Sequence, residues 1–286
     1  MALKDHLRTL KYATWLGWQI ESNWTSPLLF IIYSLVKPIA AVLILIFMYI
    51  IILGDVTSDP VFFSFMFIGN ALYLFVAQVL FGLTWVLHED REHFQTLRNI
   101  YMAPMSFYMY VVGRALSKII ITSAAVFITL MFGVVALNVP IDLLEIDWPY
   151  LVVAMVIGLI MICALGVALA GVSMLTAKHS GGINEAIAGV FYLFCGVIFP
   201  ITILPVQIQA VSLAIPVTYW LEILRRSLVP GIGIESISGL SAFSNIELVL
   251  LLLVSAALFL VVSLMIFRYA DHRARKQGKL DMITTY

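Results

Sequence analysis

Charge is what this 286-residue chain has least of: 11% of its residues are Asp, Glu, Lys or Arg, against 63% hydrophobic. A soluble domain of this length needs roughly 25% charged residues to cover its surface, so a soluble globular protein is excluded and an integral membrane protein is implied. The 16 basic and 16 acidic residues cancel, which leaves no electrostatic footprint for nucleic acid. Cysteine is nearly absent too. Cys163 and Cys195 both sit in apolar runs, so they read as small buried hydrophobes, and a disulfide framework or thiolate metal site is excluded. Met1 to Trp24 carries charges throughout and has no compact apolar core before a small-residue site, so no cleavable signal peptide is expected. Neither repeats nor a polar linker divides the chain, and residues 1–286 read as one membrane domain.

Catalytic motifs are missing as well. Without a Gly-x-x-x-x-Gly-Lys-Ser/Thr loop the chain cannot hydrolyse ATP by itself, so energy for any pumping must come from a partner or an ion gradient. His88 and His93 flank Glu89 and Glu92 but are five residues apart, about 140° around a helix, and cannot grip one zinc ion as a His-Glu-x-x-His pair does. No Ser lies in a Gly-x-Ser-x-Gly turn. No metal site and no enzymatic activity are expected.

What is present is a succession of apolar runs long enough to cross a bilayer. Windows of about 20 apolar residues predict helices near Pro27 to Leu53, Val61 to Leu87, Tyr108 to Asn138 and Trp148 to Thr176, a fifth from about Ile183, and a sixth from about Ile246 to Tyr269. An even number of spans puts both termini on one side. The segments proposed as inner hold 14 of the 16 Lys and Arg residues, including Lys4, Arg8, Arg91, Arg98, Lys178 and Arg273, and only Arg225 and Arg226 lie outside. The outer loops carry Asp55, Asp59, Asp142, Glu145 and Asp147, so the positive-inside bias predicts a multi-pass protein of the cell membrane with cytoplasmic termini.

Ahead of the spans, residues 1–26 predict an amphipathic helix lying on the membrane, with Leu3, Leu7 and Leu10 on one stripe and Lys4, Arg8 and Lys11 on the next. Trp15, Trp18 and Trp24 suit the headgroup layer, and membrane lipids are the expected contact. The first span, at about 40 Å if straight, is longer than a bilayer requires, so Lys37 and Pro38 are expected to mark the end of its interfacial part. Residues 27–270 form the core and 271–286 a cytoplasmic tail.

Two stretches depart from plain spanning helix. Between Gly196 and Arg226 the apolar run is interrupted by Pro200, Pro205 and Pro216, each of which removes a backbone donor. Freed carbonyls are tolerated at membrane depth only where protein or a water-filled cavity covers them, so this segment is expected to enter the membrane, break and turn back. Tyr219, Glu222 and Arg225 close it. Glu222 can pair with Arg225 or Arg226 at helical spacing, more as a structural latch than as a substrate contact. The second stretch, Phe94 to Ala103 in the first inner loop, is too short to span and ends at Pro104. Leu97, Ile100 and Tyr101 at helical spacing suit docking into a groove on another protein, against the plainer reading of a connector packed on its own helices.

These two stretches resemble type 2 ABC-exporter permeases. The run Glu92 to Pro104 is similar to that family's Glu-x-Gly-Thr-Leu-x-x-Leu-x-x-x-Pro loop helix at Thr96, Leu97 and Pro104, with Gln95 where Gly is usual. Gly196, Phe199 and Pro200, then Leu204 and Pro205, then Pro216, Thr218 and Tyr219, and finally Glu222 and Arg225 match its second pattern in order; the tail, with Gly278 before a leucine, also fits. The resemblance implies an all-α integral membrane fold of six transmembrane helices, with an N-terminal interfacial helix, a cytoplasmic coupling helix and a broken re-entrant segment after the fifth helix. It implies a separate ABC ATPase subunit in two copies, holding ATP and Mg, and a second copy of the permease itself. The coupling helix would meet the ATPase through Glu92, Phe94, Thr96, Leu97, Ile100, Tyr101 and Pro104. The second and fifth spans would line the pathway, with Phe67, Asn70, Phe75, Gln78, Phe191 and Phe199 as candidates, although packing explains the phenylalanines equally well. The cargo is expected to be hydrophobic or amphiphilic: drug-like, lipid-like or a lipid-linked polysaccharide. An ion-coupled transporter or channel working alone is the alternative, and it would want intramembrane carboxylates or a repeated pair of broken helices.

Overall fold

The computed structural model describes residues 3–23, 26–54, 59–175 and 180–277, and among them every regular element is helical. Trp24, Asp55, Lys178 and the tail from Gly278 lie outside the described residues. The elements in chain order are α1 (Leu3–Asn23), α2 (Pro27–Leu53), α3 (Pro60–Phe75), a π-helical turn (Val76–Leu80), α4 (Phe81–Glu92), α5 (Leu97–Met102), α6 (Phe107–Leu137) and α7 (Trp148–Leu175). After these come α8 (Ser180–Phe194), a 3₁₀ turn (Ile201–Ile203), α9 (Val206–Ala214), α10 (Pro216–Leu228), α11 (Ile234–Ser238) and α12 (Asn245–Lys276).

Local chemistry sets the helix starts. Ser26 Oγ accepts from Leu29 N at the head of α2 with Pro27 at its first position, and Asp59 Oδ1 accepts from Phe62 N at 3.0 Å ahead of Pro60. Ser244 and Glu247 close a reciprocal capping box on α12. Asn138, with φ of 53°, ends α6 in the left-handed conformation.

Among the described residues four helices are long and apolar enough to cross a membrane: Pro60–His93, Phe107–Leu137, Trp148–Ser173 and Asn245–Lys276. The first is the hub, with 78% of its most apolar window buried inside the protein against 17% for the last. Its centre is the π turn, where one extra residue shifts the register between α3 and α4. Around it a large apolar core joins α3, α7, α10 and α12 through Phe75, Met161, Trp220 and Leu252. A smaller core gathers Leu83, Leu97, Ile100, Phe107 and Phe267 at the far end of α4.

α2 runs through Pro38 without interruption; the side chain of Lys37 lies outside the described ones. Within the protein α1 packs through a face other than the leucine stripe, for Leu7 is 58% exposed. Ala13 is buried instead, against Gly113 of α6, where a Cβ would meet Ala13 Cβ at 2.5 Å and Leu10 O at 2.9 Å. Small residues let two backbones approach closely. Tyr12 and Trp15 point outward, and Lys118 of α6 pairs with Glu21 of α1. Gly113→Leu is expected to pry α1 from α6 and to destabilise the protein by about 1–3 kcal/mol. Thermal unfolding in detergent, with limited proteolysis after α1, would read it; unchanged melting and unchanged cleavage would contradict the packing.

Candidate functional site

The first candidate region is the turn and short helix after α4. Asp90 O accepts from Thr96 N at 2.9 Å, and Glu89 O accepts from His93 N and Phe94 N at 2.9 and 2.8 Å, so the chain folds back at once. The reversal puts Gln95 at φ of 53°, a left-handed conformation that costs a residue with a Cβ roughly 1–2 kcal/mol. That conformation is the physical reason a glycine suits this position. The α5 helix is shorter than the sequence predicts, with Phe94 to Thr96 forming the turn before it.

Leu97 and Ile100 are buried in the smaller core and do not stand at the surface of the protomer. Glu92 is buried as well, bonded to Arg91 Nε at 2.9 Å, and the hydroxyl of Thr96 lies over Asp90 O. Tyr101 is also tied inward: its hydroxyl donates to Asp271 Oδ1 at 2.7 Å, its ring stacks on Phe107 at 4.3 Å, and Arg275 lies over it at 4.6 Å. Burial first, then the bond to Asp271, raises its phenol above the ordinary value, so it stays a donor. The side chains left outside are Phe94, Gln95, Arg98, Asn99 and Met102, the last 66% exposed, with Pro104 exposed just beyond.

Behind the turn lies a cluster that sequence reasoning missed. Asp90 and Arg114 are each 1% exposed. Asp90 accepts from Tyr110 Oη at 2.7 Å and from Arg114 Nη1 at 3.2 Å, and Arg114 Nη1 also donates to Tyr110 Oη at 2.9 Å. The carboxylate whose backbone carbonyl closes the turn thus also fixes α4 to α6. A charge two turns into an apolar helix was the available signal, since such a group demands a partner.

The second region is the broken segment. α8 stops at Phe194, Gly196 turns at φ of 68°, and α9 and α10 follow as two short helices. Pro200 precedes the 3₁₀ turn, Pro205 precedes α9, and Pro216 begins α10, all places where a missing N–H costs little. Thr218 Oγ1 donates to Ser212 O at 2.8 Å and Tyr219 Oη to Leu213 O at 2.5 Å, so both cap the end of α9.

Glu222 pairs with Arg226 rather than Arg225, at 2.7 Å, and also accepts from Ser238 Oγ at 2.7 Å. Arg226 donates further to Leu240 O and Phe243 O at 2.9 and 2.8 Å. Arg225, 2% exposed, donates through Nη2 to Gly196 O and Val197 O at 2.7 and 2.9 Å and lies 3.7 Å above the Phe65 ring. Its path crosses Gly69, where a Cβ would stand 1.8 Å from Nη2. A cation therefore satisfies the carbonyls that the break sets free.

The pathway candidates divide. Phe67 and Phe75 are at most 2% exposed, Phe67 against Gly133 of α6 and Phe75 edge-on to Trp220 at 6.1 Å, so both fill the interior of the protomer and line no open surface. Asn70 Oδ1 accepts from Tyr192 Oη at 2.9 Å, and Tyr73 Oη donates to Ala188 O at 2.8 Å, which joins α3 to α8. Gln78 is half-buried in the π turn, Phe191 faces Phe81 at 6.5 Å, and Phe199 is half-buried after α8. Among the described residues no group of three or more His, Cys, Asp or Glu side chains could hold a metal ion.

Two substitutions test these regions. Arg225→Met leaves two carbonyls without donors and is expected to destabilise by about 1–3 kcal/mol for each, measured by thermal unfolding in detergent; an unchanged midpoint would contradict the latch. Gln95→Gly is expected to raise stability by up to about 1 kcal/mol in the same assay, and a loss would contradict the strained turn.

No curated protein matches the chain. A family profile does: that of the ABC-2 type transporter matches residues 12–229, from within α1 to the end of α10, and includes both regions above. This family is the membrane permease module of ABC transporters and lacks the ATPase. The chain belongs to the ABC-2 type transporter family.

Proposed function

We propose that this chain is the permease of an ATP-driven exporter that moves a hydrophobic or amphiphilic cargo out of the cytoplasm or inner leaflet. Six spans carry it: α2, the α3–α4 helix, α6, α7, α8 with its broken segment, and α12. The termini are cytoplasmic in the cell membrane, and α1 lies along the inner surface. Two copies meet two ABC ATPase subunits, and ATP with Mg is held by those subunits. The observation that carries this reading is the family match together with a short loop helix that is anchored on one face and bare on the other.

Closure of the ATPases pushes on Phe94, Arg98 and Met102. Because Leu97 and Ile100 are embedded in the core, α5 cannot yield locally, and the load passes through Asp90 to Arg114 of α6. α1, packed on the same helix, moves with it. Rigid elements tilt rather than bend, and the pathway between the two copies opens outward.

The double substitution Phe94→Asp with Met102→Asp is expected to cut recovery of the ATPase with tagged permease at least about tenfold, the effect of 1.4 kcal/mol or more, while folded permease is undiminished. Leu97→Asp is expected to lower the amount of folded permease instead, because it buries a charge. Undiminished ATPase recovery with the double variant would sink this docking face.

A further inference from the structure

The end of α4 carries a cleft that shares Phe94 with the proposed docking face but is otherwise separate from it. A cleft of about 780 Å³ opens between α1 and this end, lined by Ile20 and Glu21 on one side and by Trp85, His88, Glu89, Glu92, His93 and Phe94 on the other, with the His88 ring edge-on to Trp85 at 5.2 Å. Trp85 and Phe94 are 45% and 40% exposed, offering aromatic surface to whatever enters. Trp85, Glu89 and Glu92 recur at helical spacing, so the indole and both carboxylates share one stripe of α4.

The charge of this cleft is opposite to its surroundings. The segments on this side of the protein hold nearly all of the chain's Lys and Arg, yet the described lining includes neither. Two of the three carboxylates are matched from behind: Glu21 pairs with Lys118, and Glu92 with Arg91. Neighbouring Asp90 is matched by Arg114. Glu89, half-buried, has no ion-pair partner among the described residues. Lys118, in contact with Glu21, and Arg114, in contact with Asp90, also act on Glu89 from a distance, but neither touches it, so this partly desolvated carboxylate at the edge of a membrane-spanning helix is left to meet a cation from the cleft. An aromatic face one turn away supplies the second half of an organic-cation site, since a quaternary centre is drawn both to the ring quadrupole and to the charge.

We propose that this cleft binds a hydrophobic organic cation, with its charged centre between Glu89 and the Trp85 ring and its apolar body along Ile20 and Phe94. The proposal names the cargo class for the exporter reading and rests on that reading for its direction of transport. A cleft of this size accommodates a ligand of drug dimensions. A phosphate-bearing zwitterion is disfavoured, because its anion would face the same carboxylates.

The test is equilibrium binding of radiolabelled tetraphenylphosphonium to the full chain in phosphatidylcholine nanodiscs at pH 8, where histidine of ordinary pKa is neutral, with empty discs subtracted. Tetraphenylborate, of the same shape and opposite charge, is the competitor. Saturable binding is expected, weakened on the order of tenfold in Glu89→Gln, the factor that 1.4 kcal/mol represents. Trp85→Ala, which leaves every charge in place, is expected to weaken it as well, whereas Trp85→Phe retains most of it. Unsaturable binding, equal affinity in Glu89→Gln and wild type, or equal affinity in Trp85→Ala and wild type would overturn the site. Displacement by tetraphenylborate as effective as by unlabelled phosphonium would overturn it too. No ATPase is present in this assay, so its failure is separate from a failure of the exporter reading, which would show as an absent ATPase partner.

Discussion

A helix that stops among apolar side chains must find donors for the carbonyls it leaves behind, and here Arg225 supplies them. Its guanidinium reaches Gly196 O and Val197 O beyond the end of α8, rests on the Phe65 ring, and passes α3 only because position 69 is glycine. Cations belong at helix C-terminal ends, where the backbone dipoles leave negative charge. The neighbouring Glu222–Arg226 pair turns the other way, to Ser238 and the carbonyls of Leu240 and Phe243. Adjacent arginines thus tie α10 in two directions, to the central helix and to the approach to α12. In a protein with so few charges, a fully buried glutamate and two buried arginines indicate how tightly this break is held.

The opposite end repeats the logic with a different set of groups. Asp90 closes the turn through its backbone and fixes α4 to α6 through its carboxylate, so one residue sets both the shape of the loop and its attachment. Buried ion pairs gain little stability over apolar packing, but a broken one is costly, so such a cluster resists rearrangement. The α5 helix, with only its outer face bare, is mounted on this rigid base.

Much of this was legible in the sequence because long apolar runs and prolines act locally. Pro27, Pro60 and Pro216 stand at the first positions of their helices, and the ends of α2, α6 and α7 and the start of α12 follow from the apolar windows, whereas α12 runs on past Tyr269 to Lys276 through a charged stretch that no apolar window marks. Burial within the protomer was not legible, because an apolar residue on a membrane helix can face lipid or protein with the same sequence. Phe67 and Phe75 read as pathway candidates and Leu97 and Ile100 as docking candidates, and all four are buried within the protomer. The choice between Arg225 and Arg226 for Glu222 was beyond spacing rules as well, since both spacings are helical and only the third dimension separates them. Gln95 was visible as a departure from the family pattern, and its positive φ explains the pattern.

The central claim is that this chain does mechanical work driven by a separate ATPase. The most direct measurement is affinity purification of the tagged chain from native membranes in mild detergent after crosslinking, with partners identified by mass spectrometry and ATP hydrolysis assayed on the product. The account predicts a soluble P-loop subunit at near-equal stoichiometry and hydrolysis that tracks it. A crosslinked oligomer of the permease alone, inactive toward ATP yet moving solute in proteoliposomes, would contradict it.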